Sequence, residues 1–205
     1  MPVKLNSSGG GSVTLTTPST ASDFTATFPA NTGDVVTTGS SAAVTPAMLS
    51  QPLTRGTAQT TTSGTSIDFT GIPSWVKRIT VMFNNVSTTG TNNKLIQLIH
   101  SGGTVVSSGY RSAAARINDT GLLETASTAG FLINSVLSAD DHYGSYVLTN
   151  LSVNVWTGVG SVTYGSGFIT SCGGVSIAST LTGIRITTTG GTDTFDTGSI
   201  NILYE

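Results

Sequence analysis

The densest set of side chains able to do chemistry is "ADDHYG", which contains Asp140, Asp141, His142 and Tyr143. Carboxylates beside an imidazole and a phenol could hold a hard cation or receive a ligand. Adjacent residues on a strand point to opposite faces, so Asp140 and Asp141 are poorly placed to share one task. Asp and Gly also favour turns, and the stretch reads equally well as a hairpin loop. Trp75, Tyr110, Tyr143, Trp156 and Tyr164 could each offer a sugar an aromatic platform. In a sandwich the same residue types are ordinary core and strand-edge residues. The candidate ligand or receptor contacts are therefore Asp140, Asp141, His142, Tyr143, Tyr110 and Trp156.

Other chemistries find less support. His100, His142 and Cys172 are the only histidines and cysteine, and none has a neighbour at metal-ligand spacing. No metal or other cofactor is expected. No G-x-S-x-G elbow and no G-x-x-x-x-G-K-[ST] loop occurs. Cys172, in "ITSCGGV", reads as a small residue at a strand end. No cation adjoins it in sequence to lower its pKa. An enzyme is not expected.

Composition narrows the partners. Charged residues make up 9% of the 205 residues and the formal net charge is −2. No basic stripe exists to neutralise phosphates, so nucleic acid is not an expected partner. No apolar run approaches the roughly 20 residues of a spanning helix, so membrane insertion is not expected. "MPVKLNSSGGGSVTL" lacks the apolar core of a signal peptide. The N-x-[ST] triplets at Asn6, Asn85, Asn118 and Asn150 would need a secretory route that this N-terminus does not offer. A single cysteine allows no internal disulfide, so stability must come from burial and pairing. So few like charges leave self-association open.

The elements that must position these residues are strands. Thr, Ser and Gly fill the place of the missing charges, and β-branched residues suit a pleated sheet. Residues 1–38 read as an arm of short β pieces. Val13 and Leu15 share one face of "SVTLTT", and Phe24 and Phe28 share one face of "DFTATFP". "DVVTTG" is a third piece. Strands this short need a partner surface, which makes Val13, Leu15, Phe24 and Phe28 candidate anchoring residues. Residues 39–54 read as a connector, with Thr45 and Pro46 opening one helical turn that Pro52 stops. Residues 55–205 carry roughly eight to ten alternating runs, divided by "STTGTNN", "HSGG", "ADDHYG", "TGVG", "SCGG" and "TTGGTD". Two packed antiparallel sheets fit this pattern, and a jelly roll is the favoured version. The chain is thus expected to be all-β, a jelly-roll-like antiparallel β-sandwich preceded by an extended arm.

Parity tests the one aromatic–basic stretch, "DFTGIPSWVKRITVMF". An unbroken strand would place Lys77 on the same face as Ile79, Val81 and Phe83. A lone buried ammonium is costly. The inward run is therefore expected to begin at Ile79. Lys77 then lies at the sheet end with its head in water, Arg78 faces outward and Trp75 caps the sandwich.

At these residues the chain resembles a known domain. "GTAQTTTSGTSIDFTGIPSWVKRITVMFNNVST" is similar to the opening of a β-sandwich domain common in tailed-phage and prophage proteins of the tail-fibre and tail-associated kind. "LTGIRITTTGGTDTFDTGSINILYE" is similar to its end. The resemblance spans about 57–205 and is weakest around 104–165, where variable surface loops are expected. The N-terminal "VKLNSSGGGSVTLTTPSTASDFTATFPANTGDVVTTGS" is similar to a segment that recurs near the start of phage fibre and virion proteins. The resemblance implies a virion-attached structural protein, a homotrimer with no catalytic residues. Its placement would be a short tail fibre or adsorption appendage, with a capsid (head) decoration or fibre protein as the alternative. Expected partners are other virion proteins through the arm and, as a candidate, a host-surface glycan. Localisation would be the virion, assembled in the bacterial host cytoplasm. A soluble carbohydrate-binding module is the further alternative, resting on the aromatics and polar loops alone.

Overall fold

The computed structural model describes residues 3–6, 8–15, 51–118, 121–134, 138, 140–165 and 167–205. The chain forms two compact units, Met1–Ala43 and Val44–Glu205. In the first, β1 (Val3–Asn6) and β2 (Ser12–Leu15) pair antiparallel, with Val3 opposite Leu15 and Asn6 opposite Ser12. The strand expected over "SVTLTT" is present from Ser12 to Leu15, and its partner Val3–Asn6 was not expected. Phe24, Phe28, the "DVVTTG" run and the helical turn after Thr45 lie outside the described residues.

The second unit is built from strands alone among its described residues. They are β3 (Thr54–Arg55), β4 (Gln59–Thr60), β5 (Ser66–Thr70), β6 (Arg78–Thr88), β7 (Lys94–His100), β8 (Thr104–Val105) and β9 (Arg111–Asn118). Then follow β10 (Gly121–Ser127), β11 (Phe131–Ile133), β12 (His142–Ser152), β13 (Val155–Tyr164), β14 (Gly167–Ser176), β15 (Leu181–Thr188) and β16 (Phe195–Tyr204). One sheet runs β10-β9-β14-β13-β12-β6-β16-β3, with β4 also on β16; the other runs β11-β7-β15-β5, with β8 on β7.

Within these sheets lies the strand order of a jelly roll. One layer is β3/β4-β16-β6-β12 and the other is β5-β15-β7-β11, and the chain passes between layers from β4 to β5, β5 to β6 and β6 to β7. Two hairpins are added to this frame: β9–β10 before β11, and β13–β14 after β12. Both join the same layer, which therefore widens on one side only. The jelly-roll expectation holds, with these additions.

Alternation explains the layers. Ile79, Val81 and Phe83 of β6, Tyr146 and Leu148 of β12, and Ile200 and Ile202 of β16 are buried. They meet Ile67 and Phe69 of β5, Ile96 and Leu98 of β7, and Ile184 and Ile186 of β15 in one core. Each such side chain contributes about 1.5–3 kcal/mol on leaving water. The strand start is as parity required. β6 begins at Arg78, Lys77 is exposed, and the amides of Lys77 and Arg78 both donate to the Glu205 carbonyl. Arg78 pairs with the Glu205 carboxylate. Trp75 is half-buried against Tyr204, ring centroids 6.1 Å apart.

Three expectations need correction. "TGVG" and "SCGG" do not break strands; they lie inside β13 and β14. Glycine in a strand can mark close approach instead of a turn. At Gly158 a Cβ would sit 2.5 Å from the Tyr146 ring, so the glycine makes room for that core aromatic. Cys172 accordingly lies in mid-strand, exposed, and not at a strand end. Finally, the stretch 104–165 builds sheet over most of its described length: β9, β10, β12 and β13 fall there.

Candidate functional site

His142 begins β12 opposite Val86 of β6, at a bulge where Asn85 adopts φ 57°. The extra residue of the bulge lies on β6 and brings Val86 to the same buried side as Phe83, while His142 faces inward with Tyr146 and Leu148 by strand alternation and is fully buried. Its Nδ1 lies 3.2 Å from the Val86 carbonyl, and Nε2 has no hydrogen-bond partner among the described residues. Burial pushes its pKa down to about 4, helped by the charge of Lys94. The carbonyls of Val86 and Asn134 and the Asp140 carboxylate pull weakly the other way.

Lys94 is the surprise of this end of the sandwich. It opens β7 and is 1% exposed. Burial lowers its pKa to about 8, against the opposing pull of Asp140, Asp196 and Asp193. These carboxylates have partners of their own. Asp193 accepts from the Asn92 backbone amide at 2.9 Å and from Asn92 Nδ2 at 2.7 Å. Asp196 Oδ1 accepts from the Ser87 hydroxyl. Gly90 lies so close that a Cβ there would fall 2.2 Å from the Asp193 carboxyl carbon. The cluster ties the ends of β6, β7, β12 and β16 together by charge and hydrogen bonds. Among the described residues no group of three or more His, Cys, Asp or Glu could hold a metal ion.

The sequence candidates thus separate. Asp140 and His142 come together in this buried end, with Asp141 half-buried beside them. Tyr143 points the other way, is exposed, and its hydroxyl donates to Asn85 Oδ1 at 2.9 Å. Tyr110 and Trp156 are core residues, 1% and 3% exposed, so neither presents a surface to a ligand. The Leu98 amide donates to the Tyr110 hydroxyl at 2.8 Å, and the ring packs edge-on to Phe131. Tyr164 is also buried, with the Arg116 guanidinium 5.1 Å from its ring centroid. Val13 and Leu15 lie on β2 of the first unit. Lys94, Asp193 and Asp196 were missed because they are distant in sequence. The one available signal was a lysine heading the apolar run "KLIQLIH".

The other side of the widened layer has the opposite character. On its outer face Leu122, Ile117 and Phe168 fall in one cross-strand row, and Ala113, Cys172 and Val159 in another. Leu122 is 65% and Val159 59% exposed. A groove of about 360 Å³ lies here, walled by Leu122 and Val159, floored by Ala113, Ala115 and Cys172, and bearing Glu124. The groove holds no His and only one carboxylate, so its chemistry is recognition by apolar fit. Comparison with known proteins finds no matching family model, curated protein or solved structure.

Proposed function

We propose that the chain is a structural and interaction protein of a tailed-phage virion. Its place is a short tail fibre or adsorption appendage, attached through the N-terminal unit and projecting the sandwich toward the host surface. One observation carries this reading. The two stretches that resemble the phage domain, distant in sequence, are partners in the fold: β5 pairs with β15 and β6 with β16. The similar residues therefore contribute adjacent strands to both layers, as a shared domain would require, while the added hairpins sit outside them. Exposed apolar surface suits a protein that works in an assembly. The carbohydrate-module alternative loses Tyr110 and Trp156 to the core.

Immunogold labelling of purified particles with antibody to the sandwich tests the placement. Label at the tail supports the appendage. Label on heads alone replaces it with capsid decoration, and particles without label sink the virion reading. A chain lacking residues 1–38 is expected to keep a folded sandwich and lose particle attachment.

A further inference from the structure

The tip of the β12–β13 hairpin carries the most exposed large apolar side chains among the described residues. Leu151 is 70% and Val153 88% exposed. The tip is nevertheless braced. The pairing shifts register between Asn150 and Ser152, leaving Leu151 unpaired at the bulge. Asn150 Nδ2 donates to the carbonyls of Ser152 and Val155, at 3.1 and 3.2 Å. The Ile177 amide donates to the Asn154 carbonyl at 2.9 Å. A backbone already braced in this way loses little further conformational entropy on binding.

The same chain carries a receptacle for them, the groove on the outer face of β9, β10, β13 and β14. Its apolar walls and small-residue floor suit a leucine and a valine. Charge is complementary as well. Lys77 and Val153 border one shallow depression at the hairpin end, whereas the groove bears Glu124. We infer that the β12–β13 tip of one copy docks in the outer-face groove of a second copy, with Lys77 set against Glu124. One contact then covers the hairpin tip and the outer-face groove together. The contact joins two different surfaces, so it forms a two-fold dimer where two copies dock reciprocally, and a ring or a head-to-tail chain where they dock in succession. It does not need the virion reading and is tested without particles.

Sedimentation of the full chain at tens of micromolar is expected to show self-association. L151E/V153E removes the tip and V159E blocks the groove. Each is expected to sediment as a monomer with an unchanged thermal transition. Mixed one to one, the two variants are expected to form a dimer, because each retains the surface that the other lacks. E124K or K77E alone is expected to weaken association several-fold, and the pair together to recover it. The inference is overturned by a monomeric parent chain, by association that survives the tip and groove variants, or by a mixture that stays monomeric.

Discussion

Two regions of the sandwich invert the usual distribution of side chains. At one end Lys94, His142 and Asp140 are buried. On the outer face of the added hairpins Leu122, Val159 and Phe168 are exposed. Buried charge is tolerated only with partners, and the end cluster has them in Asp140, Asp193 and Asp196. Exposed apolar surface costs the isolated fold little, but it offers a surface to a partner. The difference teaches that the frame strands use their polar groups on one another, whereas the added hairpins leave apolar groups unused. The outer face of the additions is where apolar surface is left open, and the polar end is tied up within the fold.

The largest effect is expected from removing the core half of the frame strand β16, beyond the residues that serve the polar end. A chain ending at Thr197 loses Ile200 and Ile202 from the core and most of the β16 pairing with β6. It is expected to show no cooperative thermal transition; a melt like that of the full chain would remove β16 from the frame. Next, Lys94→Met leaves the carboxylates without their buried cation and is expected to cost about 3 kcal/mol in urea unfolding. An unchanged midpoint would mean that the cluster is solvated and not structural.

The pH dependence separates the two regions again. The folded-state pKa of His142 is about 4, below its unfolded value near 6.5. Between these values the unfolded chain binds more protons, so stability falls as pH drops from about 6.5 to about 4. The loss is expected to reach roughly 3 kcal/mol, because each pH unit crossed between the two values costs about 1.4 kcal/mol. His142→Gln is expected to flatten that slope. If the slope persists, another group carries it. Gly90→Ala, which pushes a methyl into the Asp193 carboxylate, is expected to cost about 2 kcal/mol by the same unfolding measurement. The smallest effect is predicted at the outer face. Val159→Thr is expected to leave stability within about 0.5 kcal/mol of the parent. A larger loss there would make the face part of the folding core.

Much of the frame was legible. Alternation identified the inward residues of β6, and the cost of a buried ammonium placed the start of that strand after Lys77. The same argument would have misjudged Lys94, which is buried with the charges of three carboxylates from elsewhere in the chain offsetting part of the cost. Glycine was misread for a related reason. A glycine that opens a turn and one that admits a neighbour's ring look alike in sequence. Only the position of Tyr146 distinguishes Gly158. Of the candidate contacts, Asp140 and His142 are buried together, which depends on the strands packed over that end and not on their own local sequence. Tyr110 and Trp156 could have been core or surface until the layers were paired.

By itself, then, the sequence determined an all-β chain with alternating strands, a low content of charge, and the place where β6 begins. These follow from side-chain periodicity and desolvation, which act locally. Tertiary structure alone decided which carboxylates meet Lys94, which glycines sit inside strands, and that one layer is widened by two hairpins with an apolar outer face. Those outcomes depend on strand pairing between residues far apart in the chain, and no local pattern encodes the partner.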